Sequence, residues 1–445
     1  MRLSVSHLSL TTVVALVALF SPTITTTTHA LPALAQHSPF KSYDQHRVVR
    51  VTIHSEDQLK SLNDNEDPLH LDYFTHLKNV GGHTDFRIPP EHFAKFQDLN
   101  LDYKVIIDNL QSVLDREQEE DARYQLKWEA FKKGRAFSAG VAIDPFASAD
   151  DWFAGYHSYE DHQTWLATQI KNNRNIARGF SAGKTYENRE QAGIKIGKGK
   201  NNVVLHGLQH SREWITGAVV EYIIQQLLTK SDRRVARYLK KFTFHIIPIM
   251  NPDGFVVTQT TDRYHRKNTQ KVGDCLGTDT NRNWDFHWNE GGSSPNPCSD
   301  GYMGPSAFSA PEAANMGNYL KNLPNVVSYI DFHAYSQLWM TPYGYNEARP
   351  ANYDSYLKPL ADKAVAAIKE VEGTVFTAGD IYHTIYQASG SSIDYALNVG
   401  VGAPFAVELR DTGTHGFNLP ADQIIPSCKE VWAAFTAILD NLKTI

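Results

Sequence analysis

A short apolar run, Val203-Val204-Leu205, gives way to apolar residues at helical spacing: Val219, Val220, Ile223, Ile224, Leu227 and Leu228. The first stretch reads as a buried strand and the second as one face of a helix. Between them lies Gly207-Leu208-Gln209-His210-Ser211-Arg212-Glu213-Trp214. A strand-to-helix switch of this kind points to an open α/β sheet, where ligands bind beyond the carboxyl ends of the strands. His210 and Glu213 sit in that connection as His-x-x-Glu. Imidazole nitrogen and carboxylate oxygen are both good zinc ligands, and a catalytic zinc takes three protein ligands plus an open position. Alone the pair is a weak signal, because two exposed polar residues on a loop have the same spelling.

The chain has 445 residues, which predicts two or three domains, and its 21% charged and 42% hydrophobic content fits a globular protein. A net charge of -6 offers no reason to expect nucleic-acid binding. Arg2 precedes an apolar run over residues 8–20, followed by small residues and Ala33-Leu34-Ala35. Residues 1–35 therefore read as a secretory signal peptide, cut after Ala35 or after Ala30. The alternative, a membrane anchor, asks for a longer run. Secretion to the extracellular space follows, with no membrane attachment after signal removal. Cys275 and Cys298 lie in a Gly-, Asn- and Ser-rich stretch and form the natural disulfide of a secreted chain, which leaves Cys428 as a buried thiol in a C-terminal helix.

After the signal comes a strand over Arg47 to Ile53, then a helix capped by Ser55 with Gln58 placed for a capping box. A strand at Phe86 to Ile88, a helix from Glu91 to Leu99 and a strand from Tyr103 to Ile107 complete a small α+β sandwich without a metal-like cluster. Residues 109–133 are charged and helical in pattern, and Lys132-Lys133-Gly134-Arg135 reads as a protease-sensitive linker. From about Trp152 a larger α/β unit begins. Its predicted strands are Ile194 to Ile196, Val203 to His206, Phe242 to Ile249, Val326 to Phe332 and Pro404 to Leu409. Its predicted helices are Asp161 to Asn172, Ile215 to Leu228, Pro311 to Leu323, Tyr353 to Val371 and Ile424 to Leu442.

A third ligand candidate is His333, which ends the apolar strand Tyr329-Ile330-Asp331-Phe332-His333. It keeps specific company: Asn251-Pro252-Asp253-Gly254, Arg263-Tyr264-His265-Arg266-Lys267, Asp279-Thr280-Asn281-Arg282-Asn283-Trp284, Ile385-Tyr386-Gln387-Ala388-Ser389-Gly390 and Glu408-Leu409-Arg410-Asp411. With these motifs in this order, from about Tyr43 to the C-terminus, the chain resembles the secreted zinc metallocarboxypeptidases of the carboxypeptidase A type, made as proenzymes.

The resemblance implies an activation propeptide over residues 36–135, with a globular part at about 43–108 and a connecting helix at about 109–133, and an enzyme domain over 136–445. The implied fold class is α/β: an α/β/α enzyme domain on a mixed, mostly parallel eight-stranded sheet, preceded by a small α+β open sandwich. One Zn2+ would be held by His210, Glu213 and His333. Glu408 matches the general base and Arg266 the group that stabilises the oxyanion. Asn281 and Arg282 match the clamp for a free C-terminal carboxylate, and Tyr386 the mobile tyrosine that closes over it. Arg212, Tyr335 and Phe417 match contacts to the peptide upstream of the cut, and Asp279 an acceptor behind a ligand imidazole.

Ile393 matches the residue deep in the pocket for the departing side chain, and Met340, Gly344, Ile381, Ile385, Ala388 and Ala406 match its uncharged lining. Isoleucine cannot pair a buried cation, so aromatic and large aliphatic C-terminal residues are the expected products. Ala334 and Ser391 depart from the common pattern, which has Ser and Gly there. The expected partners are peptide or protein C-termini and an activating endoprotease that cuts after Arg135 or Lys133, and the expected state is a monomer. Three other readings bear on the same motifs. A non-catalytic relative would lack the base and oxyanion residues, a basic-residue carboxypeptidase would need an acid at Ile393, and an endopeptidase would have no use for Asn281, Arg282 and Tyr386.

Overall fold

The structure is a computed structural model that describes residues 40–75, 80–137, 152–229 and 232–444. The expected signal peptide and its cleavage points lie outside the described residues, as does the segment 138–151 that follows the expected activation site.

The N-terminal domain contains β1 (Arg47–Thr52), α1 (Glu56–Asn65), β2 (Asp72–Tyr73), β3 (His83–Ile88), α2 (Pro90–Gln97) and β4 (Asp102–Ile107). The strands form an antiparallel sheet in the order β2-β3-β1-β4. Strand alternation divides β1 between two environments. Val49 and Val51 pack with Leu62 of α1, Phe96 of α2, Phe86 and Ile88. Val48, on the opposite face, joins the core shared with the larger domain. Ser55 caps α1 by accepting from the Gln58 N–H, but the Gln58 side chain accepts from His54 N–H, one residue before the position a capping box requires. β2 is a two-residue edge strand that the sequence pattern does not reveal.

The connecting helix α3 (Leu110–Phe137) is longer than its sequence suggests. It continues through Lys133, Gly134 and Arg135, because one glycine among good helix formers costs only about 1 kcal/mol.

The larger domain runs α4 (Tyr159–Asn172), β5 (Ala177–Lys184), β6 (Glu190–Gly197), β7 (Asn201–His206), α5 (Trp214–Thr229), α6 (Arg233–Lys241), β8 (Phe242–Ile247) and α7 (Pro252–Thr260). A small hairpin, β9 (Lys271–Val272) and β10 (Cys275–Leu276), is tied to Cys298 by the disulfide from Cys275, and Cys428 is free and buried. Then come α8 (Pro311–Asn322), β11 (Val326–His333), β12 (Leu338–Thr341), α9 (Lys358–Glu372), β13 (Thr377–Asp380), α10 (Ile381–Thr384), α11 (Ser392–Asn398), β14 (Ala403–Glu408) and α12 (Ile424–Asn441). The helix expected from Tyr353 begins as a π-helical turn, Tyr353–Leu357, and becomes α-helical at Lys358, with Pro359 in the first turn. Asn251-Pro252-Asp253-Gly254 opens a helix: the Asn251 side chain accepts from Gly254 N–H and Pro252 takes the first position, where no N–H is needed.

The eight strands lie in the order β13-β12-β14-β11-β7-β8-β6-β5. β14, β11, β7 and β8 are mutually parallel, and antiparallel pairs flank them. β7 and β11 are buried along their whole length, as strands covered on both faces must be. The expected mixed, mostly parallel sheet is present. β5, β12 and β13 lie outside the predicted strands: β5 is a half-exposed strand with two glycines, and the other two are four residues long. From β7 the chain goes on to β8 on one side, while β11 lies on the other, so a crevice opens at the carboxyl ends of β7 and β11.

Candidate metal centre

His210 and Glu213 occupy the connection from β7 to α5, and its backbone is tightly constrained. Leu208 has φ of 51°, a left-handed conformation that a bulky side chain seldom takes. It is held there by burial against Trp214, Ile249 and Phe255. A Cβ on Gly207 would lie 2.7 Å from the Thr216 carbonyl oxygen, so only glycine lets the loop approach the start of α5 this closely. The Thr216 hydroxyl accepts from Leu208 N–H and donates to the Glu213 carbonyl, which locks the turn from both sides.

This turn places His210 Nδ1 2.9 Å from Glu213 Oε1. His333, the last residue of β11, brings its Nδ1 to 3.0 Å from His210 Nδ1 and 3.1 Å from Glu213 Oε2. The three ligand atoms lie within 4.8 Å of one another, and all three residues are buried. Two imidazole nitrogens and one carboxylate oxygen, converging with their lone pairs inward, form a donor set that suits zinc. Behind the ring of His210, Nε2 lies 3.2 Å from Asp279 Oδ1; behind that of His333, Nε2 lies 2.9 Å from Asp331 Oδ2. Burial alone would push the Glu213 carboxyl up, yet His210 and His333 hold it down at about 2.

Glu408 ends β14, directly paired in register with His333. Its Oε2 is buried and has no hydrogen-bond partner among the described residues. Burial pushes this carboxyl up to about 8, assisted by the charge of Glu213 and opposed by His333 and Arg266. A dication among the ligands would pull it down again. Arg266 is buried, although the basic run around it reads as solvated. Its Nε and Nη2 donate to Asp279 Oδ2, at 3.1 and 3.0 Å, and its Nη1 lies 4.0 Å from Glu213 Oε1.

The side chains expected to clamp a carboxylate are together. Asn281 Nδ2 lies 3.2 Å from His333 Nε2, while its Oδ1 accepts from Ser392 N–H. Arg282 is fixed by the carbonyls of Gly292 and Asn281, and its Nη2 donates to the Tyr386 hydroxyl. Ile393, fully buried, packs in one apolar cluster with Met340, Ile381, Ile385, Ala388 and Ala406.

Arg212, Tyr335 and Phe417 also meet, but in company that the sequence does not show. The Arg212 guanidinium lies 4.3 Å from the Phe417 ring centre, and Tyr335 and Phe417 pack edge to face. Phe74 of the N-terminal domain packs on Phe417, and Asp72 and Tyr73 of β2 accept from Arg212. A second junction joins α3 to the larger domain: Arg263 donates from Nε and Nη2 to Glu117 at 2.7 and 2.8 Å. Tyr124 and Trp128 of α3 pack around His157, which stacks on Trp152. A cleft of about 540 Å³ remains between α1 and the centre, lined in part by Leu59, Asn63, Arg266, Arg282 and Tyr386. Asp72, Glu117 and Asp331 are the residues whose part was not read from sequence. An acid inside an apolar strand was a usable signal for Asp331; nothing local marked the other two.

Residues 162–434 match the zinc carboxypeptidase family model, and residues 49–117 match that of the carboxypeptidase activation peptide. The chain is 38% identical to a metallocarboxypeptidase A-like protein of Trichophyton verrucosum, over 90% of this chain and 94% of that one. It is 34% identical to zinc carboxypeptidase A 1 of Drosophila melanogaster, over 91% and 93%. The crystal structure of carboxypeptidase A from Helicoverpa armigera superposes with a TM-score of 0.78 at 27% identity, covering 90% of this chain and 98% of that one.

Proposed function

The chain belongs to the zinc carboxypeptidase family and carries that family's activation peptide, and on this premise we propose that it is a secreted proenzyme whose mature form releases aromatic and large aliphatic residues from peptide C-termini. The observation that carries the proposal is the convergence of His210 Nδ1, His333 Nδ1 and the Glu213 carboxylate beside the unpartnered Oε2 of Glu408. This is the two-histidine, one-glutamate set for which carboxypeptidase A is itself a standard example.

Zinc bound at His210, Glu213 and His333 would polarise the scissile carbonyl and lower the pKa of a water toward neutrality. Glu408 Oε2 takes the proton from the attacking water and returns it to the leaving amine nitrogen as the C–N bond breaks. Arg266, held rigid by Asp279, faces the oxygen on which negative charge develops. Asn281 and Arg282 bind the substrate's terminal carboxylate, and Tyr386 covers it, which excludes water and fixes the scissile bond. Ile393 and its apolar neighbours receive the departing side chain, and a cation there would lose its hydration without gaining a partner. Arg212, Tyr335 and Phe417 hold the peptide upstream of the cut once the N-terminal domain has left. The leader-like residues 1–35 support export, and cleavage at Arg135 or Lys133 frees the active enzyme.

The test is release of C-terminal Phe, Leu, Lys and Glu from matched peptides, before and after limited proteolysis, with zinc content measured in parallel. The expected result is release of Phe and Leu that rises on cleavage and is lost when zinc is chelated. A preference for Lys would sink the specificity reading.

A further inference from the structure

We propose that Asp331 is a positioning residue for the metal centre, holding the His333 imidazole in the tautomer that presents a bare Nδ1 to the ion. The inference rests on reading His333 as a ligand and goes beyond it to the group that prepares the ring.

His333 faces the centre with Nδ1, the atom near His210 Nδ1 and Glu213 Oε2. A neutral imidazole with its lone pair on Nδ1 carries its proton on Nε2, and that N–H needs an acceptor. Two groups stand beside Nε2: Asp331 Oδ2 at 2.9 Å and Asn281 Nδ2 at 3.2 Å. Asn281 cannot be the acceptor, because its amide oxygen is committed. Oδ1 accepts from Ser392 N–H at 2.8 Å, so the amide turns its NH2 toward the ring. An amide NH2 only donates, so in this tautomer the Asn281 contact at 3.2 Å is not a hydrogen bond and takes nothing from Nε2–H. Among the described residues, the Asp331 carboxylate is the acceptor beside Nε2.

Its own placement is enforced. Asp331 and His333 are two residues apart on β11, so both side chains leave the same face of the strand. Asp331 is fully buried, and Ser392 Oγ donates to the same Oδ2 that meets the ring. Its Oδ1 lies 3.4 Å from Nδ1 of His206, the residue registered against it on β7, and the other ring nitrogen of His206 contacts the Tyr329 hydroxyl. No hydrogen bond closes between His206 and Asp331 Oδ1, so the Asp331 carboxylate itself is what stands behind the second imidazole, as Asp279 stands behind that of His210. Carboxylates behind ligating histidines orient the ring and raise its basicity, and their loss weakens metal binding by about 10- to 100-fold.

The test uses the full-length zinc-loaded protein with Asp331→Asn and Asp331→Ser, and His333→Ala as the control for the ligand reading. Zinc affinity is measured by chelator competition, thermal midpoints are taken for loaded and stripped protein, and visible spectra are recorded after cobalt substitution. Asp331→Ser is expected to weaken zinc by about 10- to 100-fold. Asp331→Asn, which keeps an acceptor oxygen without the charge, should fall between it and the parent. Both should shift the cobalt spectrum, and the rise in thermal midpoint on zinc loading should be smaller than the parent's. Should the serine variant not fold, the asparagine variant decides alone. Parental zinc affinity and an unshifted cobalt spectrum in the Asp331 variants, with zinc lost in His333→Ala, would overturn the role of Asp331 alone. Parental zinc affinity in His333→Ala would instead remove the ligand reading, and this inference with it.

Discussion

Asp72 and Arg212 meet across the interface between the two domains: Arg212 Nη1 donates to Asp72 Oδ1 at 2.8 Å, and both residues are buried. Arg212 stands between His210 and Glu213 in sequence, so the N-terminal domain grips the loop that carries two of the three candidate metal ligands. Asp72 also accepts from Arg87 of its own domain, which holds it in place for that contact.

Removing Asp72 leaves Arg212 buried without its main counter-ion. Truncating one partner of such a pair costs about 2–5 kcal/mol. Asp300, 3.4 Å from Arg212 Nη1, places the expected loss at the lower end. Intact Asp72→Ala protein, with activation cleavage blocked, should therefore hydrolyse peptide substrates at least about tenfold faster than the intact parent, since 1.4 kcal/mol already corresponds to tenfold. Steady-state rates on the two uncleaved chains check this.

Glu408→Gln keeps the shape of the side chain and removes the proton acceptor. The expected change is a fall in kcat of about 10²- to 10⁴-fold, with zinc content unchanged, because Glu408 is not among the converging ligand atoms. Turnover and metal analysis on the same preparation separate the base from the ligands.

Ile393→Asp should reverse the preference for the departing residue. The carboxylate would lie in an apolar pocket with Met340, Ile381 and Ala388, where a substrate Lys or Arg supplies the missing charge. Release of Phe and Leu should fall by about 10- to 200-fold, the scale on which pocket contacts discriminate, while release of Lys and Arg rises. Matched peptides differing only at the last residue give the ratio.

Release of the cleaved propeptide should depend on pH through Asp121 of α3. Burial pushes this carboxyl up to about 7, as do Glu117 and Glu120, while Arg263 opposes them. A carboxyl whose pKa is higher when docked stabilises the docked helix fully below its free value near 4 and loses that contribution as pH rises through about 7. Arg116 and His415 line the same cavity between α3 and the larger domain. After cleavage the propeptide should dissociate faster at pH 8 than at pH 6, and Asp121→Asn should flatten the difference. Gel filtration of cleaved protein at the two pH values reads the outcome.

Much of the sheet was legible because buried strands announce themselves. Val203-Val204-Leu205 is apolar on both faces, and Val326 to Phe332 is apolar on both but for Ser328 and Asp331, a pattern of doubly covered strands. β2, β12 and β13 were not legible, since two to four residues cannot establish a period. Arg263 and Arg266 are both buried, although a basic run taken by itself carries no mark of burial. Their carboxylate partners, Glu117 and Asp279, lie elsewhere in the chain, and no local pattern reports them.

The linear sequence determined which residue types stand at the proposed ligand, base and clamp positions: His210, Glu213, His333, Glu408, Arg266, Asn281 and Arg282 were nameable once their motifs, taken together in order, showed the family resemblance. Only the tertiary structure decided how they are held and what the N-terminal domain touches among them. The parallel pairing of β11 with β14 sets His333 beside Glu408, and the edge strand β2 sets Asp72 on Arg212. Both relationships join residues distant in sequence. Such pairs form only when the sheet closes and the two domains bury their shared surface, so no local periodicity can encode them.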